Sequence, residues 1–232
     1  MNIAKNGYKE EELVCKDLNN NITGLVKFNN NYERTKNKSK VDIKSIDNKI
    51  MCQIKKYKKN QFQQLDRHWI DDIIKIIPEL EEIKYMLKNL CEIELLPNKT
   101  HINKTKNRLL LSLDNYDKKE LDNLLFLLNN NKQKILEYVF YGTNEYKPKY
   151  LIAVEYVNNK RDNISIFRIN KIIKYLMNLD FEITKKKSVI KLGNCISFQR
   201  KGGDNGKKSS NQFQTKIIIS SLTTIKHINI KL

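Results

Sequence analysis

Between residues 40 and 55 two short β-prone runs, Lys40-Val41-Asp42-Ile43 and Ile50-Met51-Cys52-Gln53-Ile54-Lys55, stand on either side of Asp47-Asn48-Lys49. Asn and Asp tolerate the backbone of tight turns, so this spacing predicts a β-hairpin. A hairpin needs strands beside it and a layer over one face, and the rest of the chain offers both. Apolar residues recur at helical spacing over residues 8–18 (Leu13, Val14, Leu18, with Glu10, Glu11 and Glu12 near the start). They recur again over 66–90, with a break near Pro78, and over 112–141 as two helices joined at the Asn-rich 129–131. Strands are expected at 150–157 and 164–167, a helix at 168–177, and further β-prone runs at 188–192, 195–199 and 213–220. The fold class that follows is α/β (α+β), with a mixed central sheet flanked by helices.

With 7 Gly and 3 Pro in 232 residues, no flexible linker divides the sequence. One domain over 1–232 is expected, with a core at about 1–80, a helical middle at about 80–145 and C-terminal strands with a loop at about 150–220. The hydrophobic share of 40% is enough for a core, which excludes a wholly disordered polycation. No run reaches the roughly 18–20 apolar residues of a bilayer span, and no apolar leader follows Met1, so a cytoplasmic protein without a membrane partner is expected. Cys15, Cys52, Cys91 and Cys195 are scattered without a C-x-x-C pair, which implies neither a disulfide framework nor a zinc knuckle.

The 44 Lys+Arg exceed the 26 Asp+Glu, giving a net charge of +18. A surplus of this size on a folded chain points to nucleic acid or an anionic surface. Only six of the basic residues are Arg, and the abundance of Lys, Asn and Ile is also what an AT-rich genome produces.

Three segments have the right residues for chemistry on a polyanion. In the hairpin, Gln53 and Lys55 share one strand face while Ile54 turns to the other, and Asp42 falls near the same edge. Mg²⁺ takes oxygen ligands and keeps several waters, so Asp42, the Gln53 amide oxygen and a strand carbonyl such as that of Ile54 can hold it. Lys55 can orient and help deprotonate an attacking water and offset charge on a phosphate. A solvated strand face would give the same spacing. The second segment, residues 58–65, combines Lys58 and Lys59 with Phe62 and Gln64: cations for phosphate, an amide and a ring for bases. The third is the Gly-dense stretch Gln199-Arg200-Lys201-Gly202-Gly203-Asp204-Asn205-Gly206-Lys207, where cations and a carboxylate on one loop can read G·C pairs in the major groove. His68, beside Trp69, reads as a packed helix residue.

These segments in this order, together with Ala4-Lys5-Asn6-Gly7-Tyr8-Lys9, Gln53-Ile54-Lys55, Phe62-x-Gln64-Leu65-Asp66-Arg67-His68-Trp69 and the unbroken block from Gln199 to Gly206, carry a resemblance over nearly the whole chain. The sequence resembles Type II restriction endonucleases of the PD-(D/E)XK superfamily. Within it, the similarity is to the subgroup that cuts four-base G/C palindromes with Gln or Asn in place of the usual acid, as in cleavage of GCGC after its first G. The resemblance implies a restriction-endonuclease-like fold, a Mg²⁺ cofactor and double-stranded DNA as substrate. It also implies a companion DNA methyltransferase in the same restriction-modification system, without direct contact, and a monomer or homodimer. Asp42 corresponds to the metal-binding Asp, Gln53 to the (D/E) position, Lys55 to the Lys, and Glu11 to a supporting Glu on the N-terminal helix. Phe62 and Gln64 fall in the family's DNA-entering loop; Gln199, Arg200, Lys201, Asp204, Asn205 and Lys207 fall in its base-reading segment. Two departures stand out: Asp42 and Gln53 are closer together than in the relatives, and Val41 replaces the usual Pro. A related enzyme cutting another four-base site such as CCGG, a catalytically degenerate duplex-DNA binder and a basic RNA-binding protein are the alternatives.

Overall fold

The computed structural model describes residues 3–20, 32–35, 40–91, 101–102, 112–201, 209–210 and 212–232. In chain order the elements are α1 (Ile3–Asn19), β1 (Tyr32–Arg34), β2 (Ile43–Ser45), β3 (Met51–Tyr57), β4 (Phe62–His68), α2 (Ile70–Ile76), a 3₁₀ turn (Pro78–Ile83), α3 (Lys84–Cys91) and β5 (His101–Ile102). There follow α4 (Lys118–Asn130), α5 (Lys132–Tyr141), β6 (Tyr150–Val157), β7 (Lys160–Arg168), α6 (Ile169–Leu176), β8 (Phe181–Ile183), β9 (Ile190–Leu192) and β10 (Ile196–Arg200). The chain ends with β11 (Ser209–Ser210), β12 (Phe213–Ile218), a 3₁₀ turn (Ile219–Leu222) and β13 (Ile228–Lys231). The expected mixed α/β fold is what forms.

The chain divides into two compact units that interleave in sequence: Met1–Gln63 with Phe140–Tyr175 and Ile219–Leu232, and Gln64–Val139 with Leu176–Ile218. The first unit holds a six-stranded mixed sheet, ordered β1-β2-β3-β6-β7-β13. Only the central β3–β6 pair is parallel, with Gln53 opposite Leu151 and Lys55 opposite Ala153. One face is apolar at every second position, Cys52 and Ile54 on β3, Ile152 and Val154 on β6, Ile164 and Ile166 on β7. This face packs on Val14, Cys15 and Leu18 of α1. Burial of those side chains drives the pairing and fixes the register, because a one-residue slip would turn them all outward. Gln53 and Lys55 consequently project from the opposite face.

The second unit holds a five-stranded sheet, β4-β12-β10-β9-β8, with α2, α3, α4 and most of α5. α4 opens on a reciprocal capping box, in which the Asp117 carboxylate accepts from Glu120 N–H and the Glu120 carboxylate accepts from Asp117 N–H, each at 2.8 Å. Leu80, Leu87, Leu124, Leu136 and Phe198 are among its buried side chains.

Three expectations are corrected. The helix expected over 66–90 begins only at Ile70, because residues 62–68 form β4, where buried Leu65 alternates with polar neighbours. The 3.6-residue period starts with Ile70, Ile73 and Ile74, and Pro78 opens a 3₁₀ turn instead of kinking a continuous helix. α1 begins at Ile3, ahead of residue 8, so Glu10, Glu11 and Glu12 lie in mid-helix rather than in the first turn. Finally, β2 starts at Ile43 and Asp42 sits just before it. All four cysteines are buried and free. Among the described residues no helix is long and apolar enough to cross a membrane.

Candidate functional site

Asp42 is the last rung of the hairpin. Its N–H donates to Cys52 O (2.9 Å) and its carbonyl accepts from Thr35 N–H (2.9 Å), so its backbone is held from both sides. Beyond that rung β2 gives β3 no further partner, and the Asp42 carboxylate takes the place of one: Ile54 N–H donates to Oδ2 at 2.6 Å. Met51 O accepts from Lys149 N–H on the β6 side. Strand alternation therefore turns both the N–H and the C=O of Ile54 toward Asp42. Gln53 is only 3% exposed, and among the described residues its Oε1 has no hydrogen-bond partner. Such an oxygen is costly to bury unless something absent from the polypeptide completes it.

The electrostatics point the same way. Burial raises the Asp42 pKa above its ordinary value, opposed by the Lys55 ammonium, the Ile54 N–H and the Lys40 charge. Glu11 is also raised, first by burial and next by the negative charge of Asp42, while Arg34 pulls it down. The Arg34 Nε lies 2.7 Å from the Glu11 carboxylate. Successive helix residues are turned by about 100°, so the three glutamates of α1 face different partners. Glu10, 1% exposed, binds Lys56 Nζ (3.1 Å) and Arg161 Nε (3.0 Å) and accepts from the Tyr156 hydroxyl. Glu12 is largely exposed, 3.5 Å from Arg34. The charge of Glu11 couples to that of Asp42.

Among the described residues no group of three or more His, Cys, Asp or Glu could hold a metal by itself. The oxygen donors that Asp42 and the adjoining stretch of β3 offer are of another kind: a carboxylate, the buried amide oxygen of Gln53 and the Ile54 carbonyl, with the Glu11 carboxylate in electrostatic reach of Asp42. All are hard oxygens, too few to fill a coordination shell without water. That matches Mg²⁺, which keeps several of its waters, and does not match zinc.

The candidate DNA-contacting residues are placed as follows. Phe62 and Gln64 are exposed on β4, which is a strand and not the expected loop. Gln199 and Arg200 belong to β10 and are buried, while Lys201, half-buried, follows the strand and donates its N–H to Gln212 O (2.8 Å). Asp204, Asn205 and Lys207 lie outside the described residues. His68 is on β4, not on a helix; it pairs with the Asp66 carboxylate and shares a 2.8 Å hydrogen bond with the Tyr138 hydroxyl.

Two residues went unread in the sequence. Arg34, which neutralises Glu11, reaches the site because β1 adds to the edge of the sheet at β2. Its signal is faint: an isolated Arg in a chain with six. Gln214 lies opposite Gln199 in the β10–β12 pair, and its Nε2 donates to Gln64 Oε1 at 2.7 Å. Only the strand order β4-β12-β10 brings these three glutamines into one row.

Among solved structures, the fold is similar to that of the restriction endonuclease MspI in its crystal structure in complex with its cognate DNA. The TM-score is 0.53 at 12% sequence identity, over 88% of this chain and 77% of that one. No curated protein matches the sequence. A family model described as R.HinP1I restriction endonuclease matches residues 29–223, a span that contains Asp42, Gln53, Lys55, β4 and the β10–β12 pair. The chain therefore belongs to the R.HinP1I restriction endonuclease family, whose members cleave DNA at specific sites.

Proposed function

We propose that this restriction endonuclease is a Mg²⁺-dependent Type II enzyme that hydrolyses both strands of a short palindromic G/C site, GCGC, in double-stranded DNA. The observation that carries the metal-dependent reading is the edge of β3: the Asp42 carboxylate, raised by burial, is held by the Ile54 N–H, and the next residue back on the strand, Gln53, has a buried Oε1 with no partner among the described residues. Asp42, Gln53 Oε1 and the Ile54 carbonyl are the residues that would hold Mg²⁺. When bound, the ion supplies Lewis-acid activation of a water and of the scissile phosphate. Lys55 projects from the same strand face as Gln53, where its ammonium donates to and orients the attacking water, favours loss of the water's proton to solvent through its positive charge, and offsets charge gathering on the phosphate. Glu11, steadied by Arg34, supports Asp42. Attack in line expels the 3′ oxygen and leaves 5′-phosphate ends.

Phe62, Gln64 and Lys201 are the described residues offered to DNA, and Asp204, Asn205 and Lys207 are proposed to extend that surface. Gln199 and Arg200, buried on β10, are proposed as DNA contacts of the same segment. The enzyme works as one endonuclease over 1–232, as a monomer or homodimer in the cytoplasm, and a companion methyltransferase of the same system protects the host site without direct contact.

The test is to incubate the protein with plasmid and Mg²⁺ and to sequence the cut ends. Cleavage at a single four-base palindrome with 5′-phosphates is expected. Ends at CCGG would correct the site alone, whereas no cleavage with either Mg²⁺ or Mn²⁺ would overturn the reading and leave a DNA-binding protein.

A further inference from the structure

Gln64, Gln214 and Gln199 stand on three neighbouring strands of the second unit, β4, β12 and β10. Gln199 and Gln214 are direct partners across an antiparallel pair and so share a face of the sheet. Gln214 is 6% exposed, and its amide nitrogen donates to Gln64 Oε1 at 2.7 Å. Gln64 itself is exposed.

A primary amide has two unlike ends, an acceptor oxygen and a two-donor nitrogen, and a 180° turn about its last bond exchanges them. A freely turning Gln64 would offer DNA either end and discriminate poorly. In this arrangement its oxygen is taken by Gln214, which leaves its two N–H donors for another partner. A donor held outward suits base-edge acceptors, the O6 and N7 of guanine among them, and rejects the amino group that cytosine presents in the major groove.

We propose that Gln214 is a specificity-determining positioning residue: by occupying Gln64 Oε1, it fixes the Gln64 amide with its NH₂ toward DNA and makes that residue read acceptors. Gln214 itself stays buried and need not touch the nucleic acid. The proposal rests on the reading that Gln64 contacts DNA.

The test compares Gln214→Glu, Gln214→Met and Gln64→Ala with the unaltered enzyme. Each is measured for cleavage (kcat and KM) on a duplex with the site found by plasmid sequencing and on the set of its single-base substitutions. A carboxylate at position 214 only accepts, so Gln214→Glu turns the Gln64 amide over and presents its oxygen. The cognate duplex should then be cleaved at least about tenfold less efficiently, the worth of one directed base contact, with preference changed at one base position and its symmetry mate. Gln214→Met leaves the amide unheld and should relax preference at that same position. Thermal melting checks that each variant folds, and should the buried carboxylate of Gln214→Glu prevent folding, Gln214→Met decides. Gln64→Ala in the Gln214→Met background should cost little beyond either change alone, because the two act as one unit. If Gln64→Ala impairs cognate cleavage while the folded Gln214 variants keep the original base preference, the proposal is wrong and the Gln64 contact stands. If Gln64→Ala changes nothing, both fall.

Discussion

A buried polar oxygen without a partner costs about 1–3 kcal/mol, and Gln53 Oε1 is such an atom on the central strand of its unit. On the proposed role of Gln53, stability and chemistry oppose each other at this residue. Gln53→Leu, similar in size and without the amide, is expected to raise metal-free stability by about 1–3 kcal/mol while removing cleavage. Melting without divalent metal and a cleavage assay read the two effects, and a destabilised Gln53→Leu would mean that the oxygen is not the liability described. Gln53→Glu keeps an oxygen ligand at this position and should retain cleavage. The placement of Asp42, Gln53 and Lys55 along one hairpin was legible in the sequence because a hairpin fixes its own register. That of Arg34 was not, because its place beside Glu11 depends on the short edge strand β1 pairing with β2, and residues 19–40 around it carry little apolar periodicity.

The β2–β3 hairpin holds Asp42 in place, and its turn is set by local chemistry. Asn48 has φ +56°, the left-handed region that Asn tolerates and β-branched residues resist. Asn48→Val should destabilise the protein by about 1–2 kcal/mol, seen in chemical denaturation, while Asn48→Gly should be close to neutral. Asp47 accepts from the Ser45 hydroxyl and from Lys49 N–H (3.1 Å), and these bonds hold its pKa below the ordinary 3.8. A depressed carboxylate supports the fold above its unfolded pKa and ceases to as pH falls through its folded one. The melting difference between Asp47→Asn and the unaltered protein should thus be present at neutral pH and vanish well below 3.8; a difference that persists there would assign the effect to something other than charge.

Elements with a long apolar period were visible before the structure: α1, the paired helices α4 and α5, α6 and the strands β6 and β7. β4 was hidden because its one buried side chain, Leu65, sits among Gln, Asp and Arg, and its polar face looks like a loop until β12 pairs beside it. β1, β8 and β13, of three or four residues each, are edge strands whose existence depends on the partner rather than on their own pattern. The Gln64–Gln214 contact spans 150 residues of sequence and had no local signal at all.

For the whole molecule, the charge of +18 acts as a sequence-blind attraction to phosphate. Duplex affinity should fall linearly on a log–log plot against salt, with a slope of about −0.9 for each phosphate neutralised. Filter binding over a range of KCl concentrations measures it, and a flat response would deny the lysines that role. Against this background Lys55 is singular, one cation among 44 assigned to chemistry rather than to attraction.

Cleavage and binding by Lys55→Ala, measured side by side on one duplex carrying the site, test that assignment most directly. The expected result is duplex affinity within a few-fold of the unaltered enzyme and single-turnover cleavage reduced by about 10²–10³ or more, the worth of one preorganised charge at a transition state. Cleavage at the unaltered rate would contradict the assignment of the active site to the edge of β3.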